Sequence, residues 1–365
     1  MTLAIFLITI MTMMASLIYF PKLRLGKRTF NTHWLIVLIG ALFMLLFGMH
    51  DFDALKNALL ADHAMNPLKL ITLFICVTIL SLFLDSVGFF KYLAYVIINK
   101  VKGSQIKLFI ALYVLTSVLT IFTSNDVMIL TFTPLVIYFS KSAKINPLPY
   151  LISILTTANT WSIMLLIGNP TNIYLATSSN IDFMTYLSVM WLPAVTAGLS
   201  GFIMIYLIFR KVLQAPMETI ETDNQITNTS LMIVGFVHLL VCILLMSMSH
   251  LIHIEMWMVT VVIVLSLSIF VVIYQTVRKE SIKPLIDSYK RAPLSFVPMI
   301  ISMFILVQGL SQSGVVDQLA TILNKMDPIW SYGLSSHLVG NFMNNQPMSM
   351  LYAEMINKST ISIGA

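Results

Sequence analysis

Residues 150–180 read YLISILTTANTWSIMLLIGNPTNIYLATSSN, an apolar helical run interrupted at Gly168-Asn169-Pro170-Thr171-Asn172. Pro170 has no N–H to donate and Gly168 tolerates dihedrals that other residues avoid, so the break is written into the sequence. In hydrocarbon an unpaired backbone group costs several kcal/mol, and irregular backbone survives there only when buried in protein or lining a watery cavity. Composition shows that hydrocarbon is the relevant solvent. Of 365 residues, 58% are hydrophobic and 10% charged, against about 25% charged in a soluble domain. The fold class expected is an all-α integral membrane protein. The net charge of +6 does not point to nucleic acid, because the basic residues are few and flank apolar runs. Cys76 and Cys242 both lie in apolar segments, which excludes a disulfide framework and a cysteine metal site. Met1–Phe20 lacks a basic n-region and a small-residue cleavage site, and reads as a retained helix.

A helix crossing about 30 Å of hydrocarbon needs about 20 apolar residues. Segments 1–20, 32–50, 68–84, 185–209, 230–249, 254–275 and 293–310 qualify. Segments 106–140 and 329–357 are apolar but carry polar clusters at mid-length. Residues 211–228 are the one long hydrophilic stretch and read as a linker, whereas 51–66, 276–291 and 311–327 read as loops or short interfacial helices.

Loop charge sets the expected orientation. Seventeen of the 21 Lys and Arg residues fall in one set of loops, from Lys22 to Arg291, leaving Lys56, Lys69, Lys325 and Lys358 on the other side. The basic loops are expected in the cytoplasm and the N-terminus outside, in a multi-pass protein of the cell membrane. Segment 106–140 then has both ends cytoplasmic, and its length is short for two crossings and a turn. It is read as a re-entrant hairpin with its tip at Thr123-Ser124-Asn125-Asp126; two short tilted helices are the alternative.

An internal repeat accompanies these breaks. Leu80–Ala94 resembles Leu306–Ala320, with Gly88/Gly314 and Ala94/Ala320 both 226 residues apart. The same offset roughly superimposes helices 1–20 on 230–249, 32–50 on 254–275 and 68–84 on 293–310, while 106–140 matches 329–357. One copy starts outside and the other inside, so the repeats are inverted in topology, as in secondary transporters with a midplane site. The expected organisation is scaffold helices at 1–100, a hairpin and broken-helix transport region at 101–210, a cytoplasmic linker at 211–229, second scaffold helices at 230–325, and a second hairpin at 326–365.

Three stretches rich in Ser, Thr, Asn and Gly look non-helical at membrane depth: 123–126, 168–172 and 341–347. Freed carbonyls and amide oxygens suit Na⁺, and helix N-termini offer N–H groups to an anion. Here Phe122-Thr-Ser-Asn-Asp-Val-Met-Ile-Leu-Thr-Phe-Thr-Pro134, Ile167-Gly-Asn-Pro-Thr-Asn-Ile173 and Asn344-Asn-Gln-Pro347 resemble the signature loops of the ion transporter superfamily. That group includes arsenite permeases, citrate–metal permeases and divalent-anion/sodium symporters. The resemblance covers essentially the whole chain and implies a secondary active transporter of a small anion or oxyacid, arsenite-like or carboxylate, coupled to H⁺ or Na⁺. It further implies a homodimer, elevator-type movement and, for an arsenite type, an ATPase subunit as partner; no enzymatic activity is expected, because the sequence offers no nucleophile–base or metal constellation. By the same resemblance Ser124, Asn125, Asp126, Gly168, Asn169, Pro170, Thr171 and Asn172 form one half-site, with Na⁺ at Ser124, Asn125, Gly168 and Asn172. Asn344, Asn345 and Pro347 would form the second tip, and Asn159 would line the cavity.

Departures from the pattern qualify the substrate. Where the dicarboxylate branch has a Ser-Asn-Thr tip, this chain has Asp126 in the third position. An acidic group there repels a dicarboxylate and points to proton coupling or an uncharged substrate; its plain structural role would be an N-cap. Leu165-Leu166 stands where many relatives have Thr-Pro. His250, His253 and Glu255 read as an external helix connection more than as a metal site. His238 reads as an interhelical hydrogen-bonding residue, with a proton relay as the alternative, and Asp85 is given no role. After Lys358 only seven residues remain, where the first copy continues for about 60 more. A truncated permease is expected on that ground, and the alternatives are a non-transporting binding or scaffold protein and a Na⁺/H⁺ antiporter.

Overall fold

The computed structural model describes residues 1–25, 28–60, 66–101, 103–218, 228–343 and 345–358. Helices dominate, and seven are long and apolar enough to cross a membrane. In chain order, α1 (Thr2–Tyr19) leads into an antiparallel ribbon of β1 (Lys22–Leu25) and β2 (Arg28–Asn31), then α2 (Thr32–Leu46), α3 (Phe52–Leu60), α4 (Pro67–Ser86) and α5 (Phe89–Lys100). The first hairpin consists of α6 (Gln105–Phe122) and α7 (Asn125–Ser142). It is followed by α8 (Leu148–Thr160), α9 (Pro170–Ser178) and α10 (Phe183–Leu213). Then come α11 (Thr229–Ser247), the single turn α12 (Ser249–Ile252), α13 (Met256–Arg278), α14 (Lys283–Arg291), α15 (Phe296–Gln312), α16 (Val315–Leu323) and the second hairpin, α17 (Pro328–Met343) with α18 (Asn345–Lys358).

Six of the seven expected spans are among these seven helices; the segment 32–50 is instead the 15-residue α2, and the remaining helix of spanning length is α6, an arm of the segment expected to be too short for two crossings. The three polar connectors contain α3, α14 and α16. The ribbon is a departure from all-α. Lys-Leu-Arg-Leu alternates with period two and pairs antiparallel with Arg-Thr-Phe-Asn two residues on, the pattern of a tight hairpin. Gly88 and Gly314, the pair matched by the repeat, both adopt left-handed backbone (φ 88° and 74°) and both start a short helix, α5 and α16. A side chain there would be strained.

The chain divides into two compact units, 1–72 with 173–181 and 293–365, and 73–172 with 182–292. In the first, α2 packs against α1 and α15, and α18 packs against α15, α16 and α17. In the second, α8 is the centre, touching α6, α7 and α10, while α11 packs on α13. Phe109, Tyr113, Phe202 and Tyr206 interlock α6 with α10. The outer surface of α10 stays apolar and exposed through Val189, Ile203, Met204 and Ile208, as expected of a helix that meets lipid.

Candidate functional site

The first hairpin reverses in two residues. Thr123 and Ser124 are extended (φ −132°, ψ 176° and φ −77°, ψ 140°), and α7 begins at Asn125. The tip is buried: Ser124 is wholly inaccessible and Asn125 is 8% exposed. The Oδ1 of Asn125 accepts the Asp126 N–H at 2.9 Å, and Thr123 Oγ1 donates back to Leu119 O. The Ser124 hydroxyl is buried without a protein partner, a costly arrangement unless something else satisfies it. Asp126 does not take the N-cap position expected from sequence. That place belongs to Ser124, and Asp126 lies within the first turn, beside the positive end of the helix dipole.

The second broken element is equally defined. After α8 come two short 3₁₀ turns, Trp161–Ile163 and Leu166–Gly168, and Pro170 opens α9, a position where a missing N–H costs nothing. Asn169 Oδ1 accepts the Thr171 N–H at 3.0 Å. Asn172, 8% exposed, donates from Nδ2 to the carbonyls of Ser162 (2.8 Å) and Leu165 (3.2 Å), holding the two turns together. A Cβ at Gly168 would lie 2.2 Å from Ser162 O, so no larger residue fits. Thr171 Oγ1 is likewise buried without a partner. Tyr186 on α10 donates to Ile163 O at 3.0 Å, and Trp161 packs on Gly198 of the same helix.

These elements belong together. α6 packs against α8 and against both 3₁₀ turns, and α7 packs against α8. Thr116, Thr120 and Thr123 line one face of α6 toward the tip, and Thr157 of α8 donates to Thr116 Oγ1 at 3.0 Å. At its two backbone breaks the unit therefore offers two helix N-termini, the unsatisfied hydroxyls of Ser124 and Thr171 and several amide oxygens, and Ser117, Thr131 and Ser140 of the hairpin arms are buried without a partner as well. Such a set can hold an oxyanion through N–H and O–H donors or a cation through oxygens.

A family model described as "CitMHS: Citrate transporter" matches residues 31–364. The chain belongs to the citrate transporter family. Membership makes this a multi-pass membrane permease for citrate-like small anions, and it agrees with the superfamily resemblance of the three loops. The first-half residues expected from sequence, Ser124 to Asp126 and Gly168 to Asn172, all fall in the hairpin tip and the break just described. Asn159 is exposed and donates to Leu155 O within its own helix. In the second hairpin Asn344 lies outside the described residues, Asn345 is exposed and Pro347 is buried. Among the described residues no cluster of His, Cys, Asp and Glu suits a metal ion. Glu255 instead accepts from Trp257 Nε1 at 2.9 Å. His238 bridges α11 to Ser266 of α13 at 3.4 Å, the interhelical bond read from sequence.

Two features were missed. Asp85, given no role, is buried and paired with Arg291 at 2.6 Å. Glu354, buried in α18, accepts from Ser311 at 2.9 Å. The repeat relates Ser311 to Asp85 by its offset of 226 residues, but it carried no signal for Glu354.

Proposed function

We propose that this protein is a secondary active transporter that carries citrate or a similar small carboxylate, coupled to H⁺ or Na⁺, by elevator-type alternating access. The observation that carries this reading is the pairing of buried, unsatisfied Ser124 and Thr171 hydroxyls with the N-termini of α7 and α9, within one packed unit. Citrate oxygens would take the N–H and O–H donors. Amide oxygens of Asn125 and Asn172, with the Gly168 carbonyl, are the donors proposed for Na⁺. Asp126 in the first turn of α7 disfavours a fully charged tricarboxylate, so the substrate enters with part of its charge neutralised by a proton or a bound divalent cation. The basic loops face the cytoplasm in this reading, and the working form is a homodimer in the cell membrane.

The test is counterflow of labelled citrate in proteoliposomes. Asn125→Ala and Asn169→Ala are expected to reduce exchange at least about tenfold, the effect of losing about 1.4 kcal/mol of binding, while purifying as folded protein. Undiminished exchange in both variants would overturn the site assignment. Absence of citrate exchange in the unmodified protein would overturn the transport reading.

A further inference from the structure

Four helix ends meet in the second unit: the last residue of α4, the N-cap of α11, the end of α13 and the start of α14. Between them lies a cavity of about 500 Å³, the size of a small-molecule site and far larger than a coordinated ion fills. Val87, Leu231 and Pro284 give it apolar walls, and no residue of the first hairpin or of the break lines it.

The polar groups of the wall divide into those already engaged and those free. Asn228 accepts the Leu231 N–H and gives its Nδ2 to Glu280 Oε2 at 3.0 Å, and the Ser86 hydroxyl donates to Leu82 O. Gln275 is different: it is 2% exposed, and its Oε1 is buried with no donor. An amide oxygen that has lost water and gained nothing in return favours an N–H or O–H group brought by a ligand. Lys283 and Asp287 stand one turn apart on α14 and make no ion pair among the described residues. With Glu280, the wall therefore carries two carboxylates, an amide oxygen and one ammonium. That balance suits a ligand with cationic N–H donors, and Lys283 leaves a place for an anionic group on the same molecule. A metal ion fits less well, since no three His, Cys, Asp or Glu residues cluster among the described residues and Lys283 would repel it.

The position of α14 says where such a ligand comes from. Ile282, Ile286 and Tyr289, four and three residues apart, are each more than a third exposed. On a connector between two spans, that stripe is a face for lipid at the depth of the headgroups.

We propose that this cavity binds a phosphoethanolamine group. Its primary ammonium donates to Gln275 Oε1 and to the carboxylates of Glu280 and Asp287, and its phosphate meets Lys283. The N–H donors are what the site selects, because a trimethylated ammonium carries the same charge and has no hydrogen to give. The bilayer presents this group as the headgroup of phosphatidylethanolamine, and solution presents it as free phosphoethanolamine. The proposal does not rest on the transport reading.

The test uses the purified full chain in detergent, titrated with phosphatidylethanolamine or with phosphatidylcholine of the same acyl chains, with bound lipid counted by native mass spectrometry. Phosphatidylethanolamine should bind at least about tenfold more tightly, the worth of one charge-assisted hydrogen bond. Gln275→Leu and Asp287→Asn should each bring the two lipids close to equal affinity. In a second arm, thermal midpoints are read with and without soluble phosphoethanolamine. A lipid preference assigns the site to the headgroup, and a raised midpoint without that preference assigns it to the free compound. If the two lipids bind equally and the midpoint does not move, the proposal is overturned. A preference or a raised midpoint that survives in both variants overturns it as well, because the ligand then sits elsewhere. Should Gln275→Leu not fold, Asp287→Asn, at a partly exposed position, decides alone.

Discussion

The two hairpins carry related tip sequences in unlike surroundings. The first has arms of 18 residues each, about 27 Å of helix, and the second has arms of 16 and 14, about 24 and 21 Å. Asn125 is buried, and its oxygen accepts the Asp126 N–H, keeping a second lone pair for a ligand. Asn345 is exposed. The first hairpin packs on α8 and its arm α6 on the two turns of the break, whereas the second packs within itself and against α1, α15 and α16. An asparagine at a helical turn is therefore a binding candidate only once a second broken element closes over it. The motif supplies the donors, and the neighbour supplies the low dielectric that gives them strength.

The comparison can be broken most forcefully at Gly168. Gly168→Ala places a methyl against the Ser162 carbonyl, backbone that cannot rotate away. It should destabilise by about 3 kcal/mol or more, the upper range for overpacking, read as a lowered thermal midpoint in detergent with loss of citrate exchange. Next in size, Asn345→Ala should reduce citrate exchange far less than Asn125→Ala. Equal losses would show that the second tip is as closely engaged in the working protein as the first. The smallest effect is at Asp182, which caps α10 through the N–H groups of Met184 and Thr185, a turn before Tyr186 meets the break. Asp182→Ala should cost about 1 kcal/mol. The Thr185 side chain, then backbone N–H groups, hold the Asp182 carboxyl below its ordinary value. Its contribution is thus present above the ordinary carboxylate range, about pH 3.9, and lost as pH falls through the lower folded value. Thermal midpoints of the two proteins should differ near neutral pH and converge in strong acid.

The spans were legible because apolar length is nearly all that a membrane demands of a helix, and Pro170 with Gly168 marked the break directly. Local chemistry likewise placed the first tip at 123–126. What sequence did not give was the use of each polar atom. Asn172 was expected to bind a ligand, yet its amide clamps the Ser162 and Leu165 carbonyls, which leaves only its oxygen for one. Asp126 looked like a cap, but the chain turns two residues earlier. Glu354 drew no notice because a single acidic residue in a helix carries no pattern; only the fold brings Ser311 to it. The ribbon at 22–31 was hidden among basic residues already read as a charge signal.

The strip that follows α10 has a mechanical consequence. Gln105, at the foot of α6, donates to the carbonyls of Ala215 and Pro216. At the foot of α7, Ala143 O accepts the Glu218 N–H, and Lys144 meets the Glu218 carboxylate at 2.8 Å, which raises the lysine's pKa above its ordinary value. Both feet of the first hairpin are therefore stapled to the same four residues, and these continue directly from a 31-residue helix that also grips the break. The feet of both arms and the end of α10 thus form one tied base, and a displacement of that helix would be passed to both arms through the same short strip.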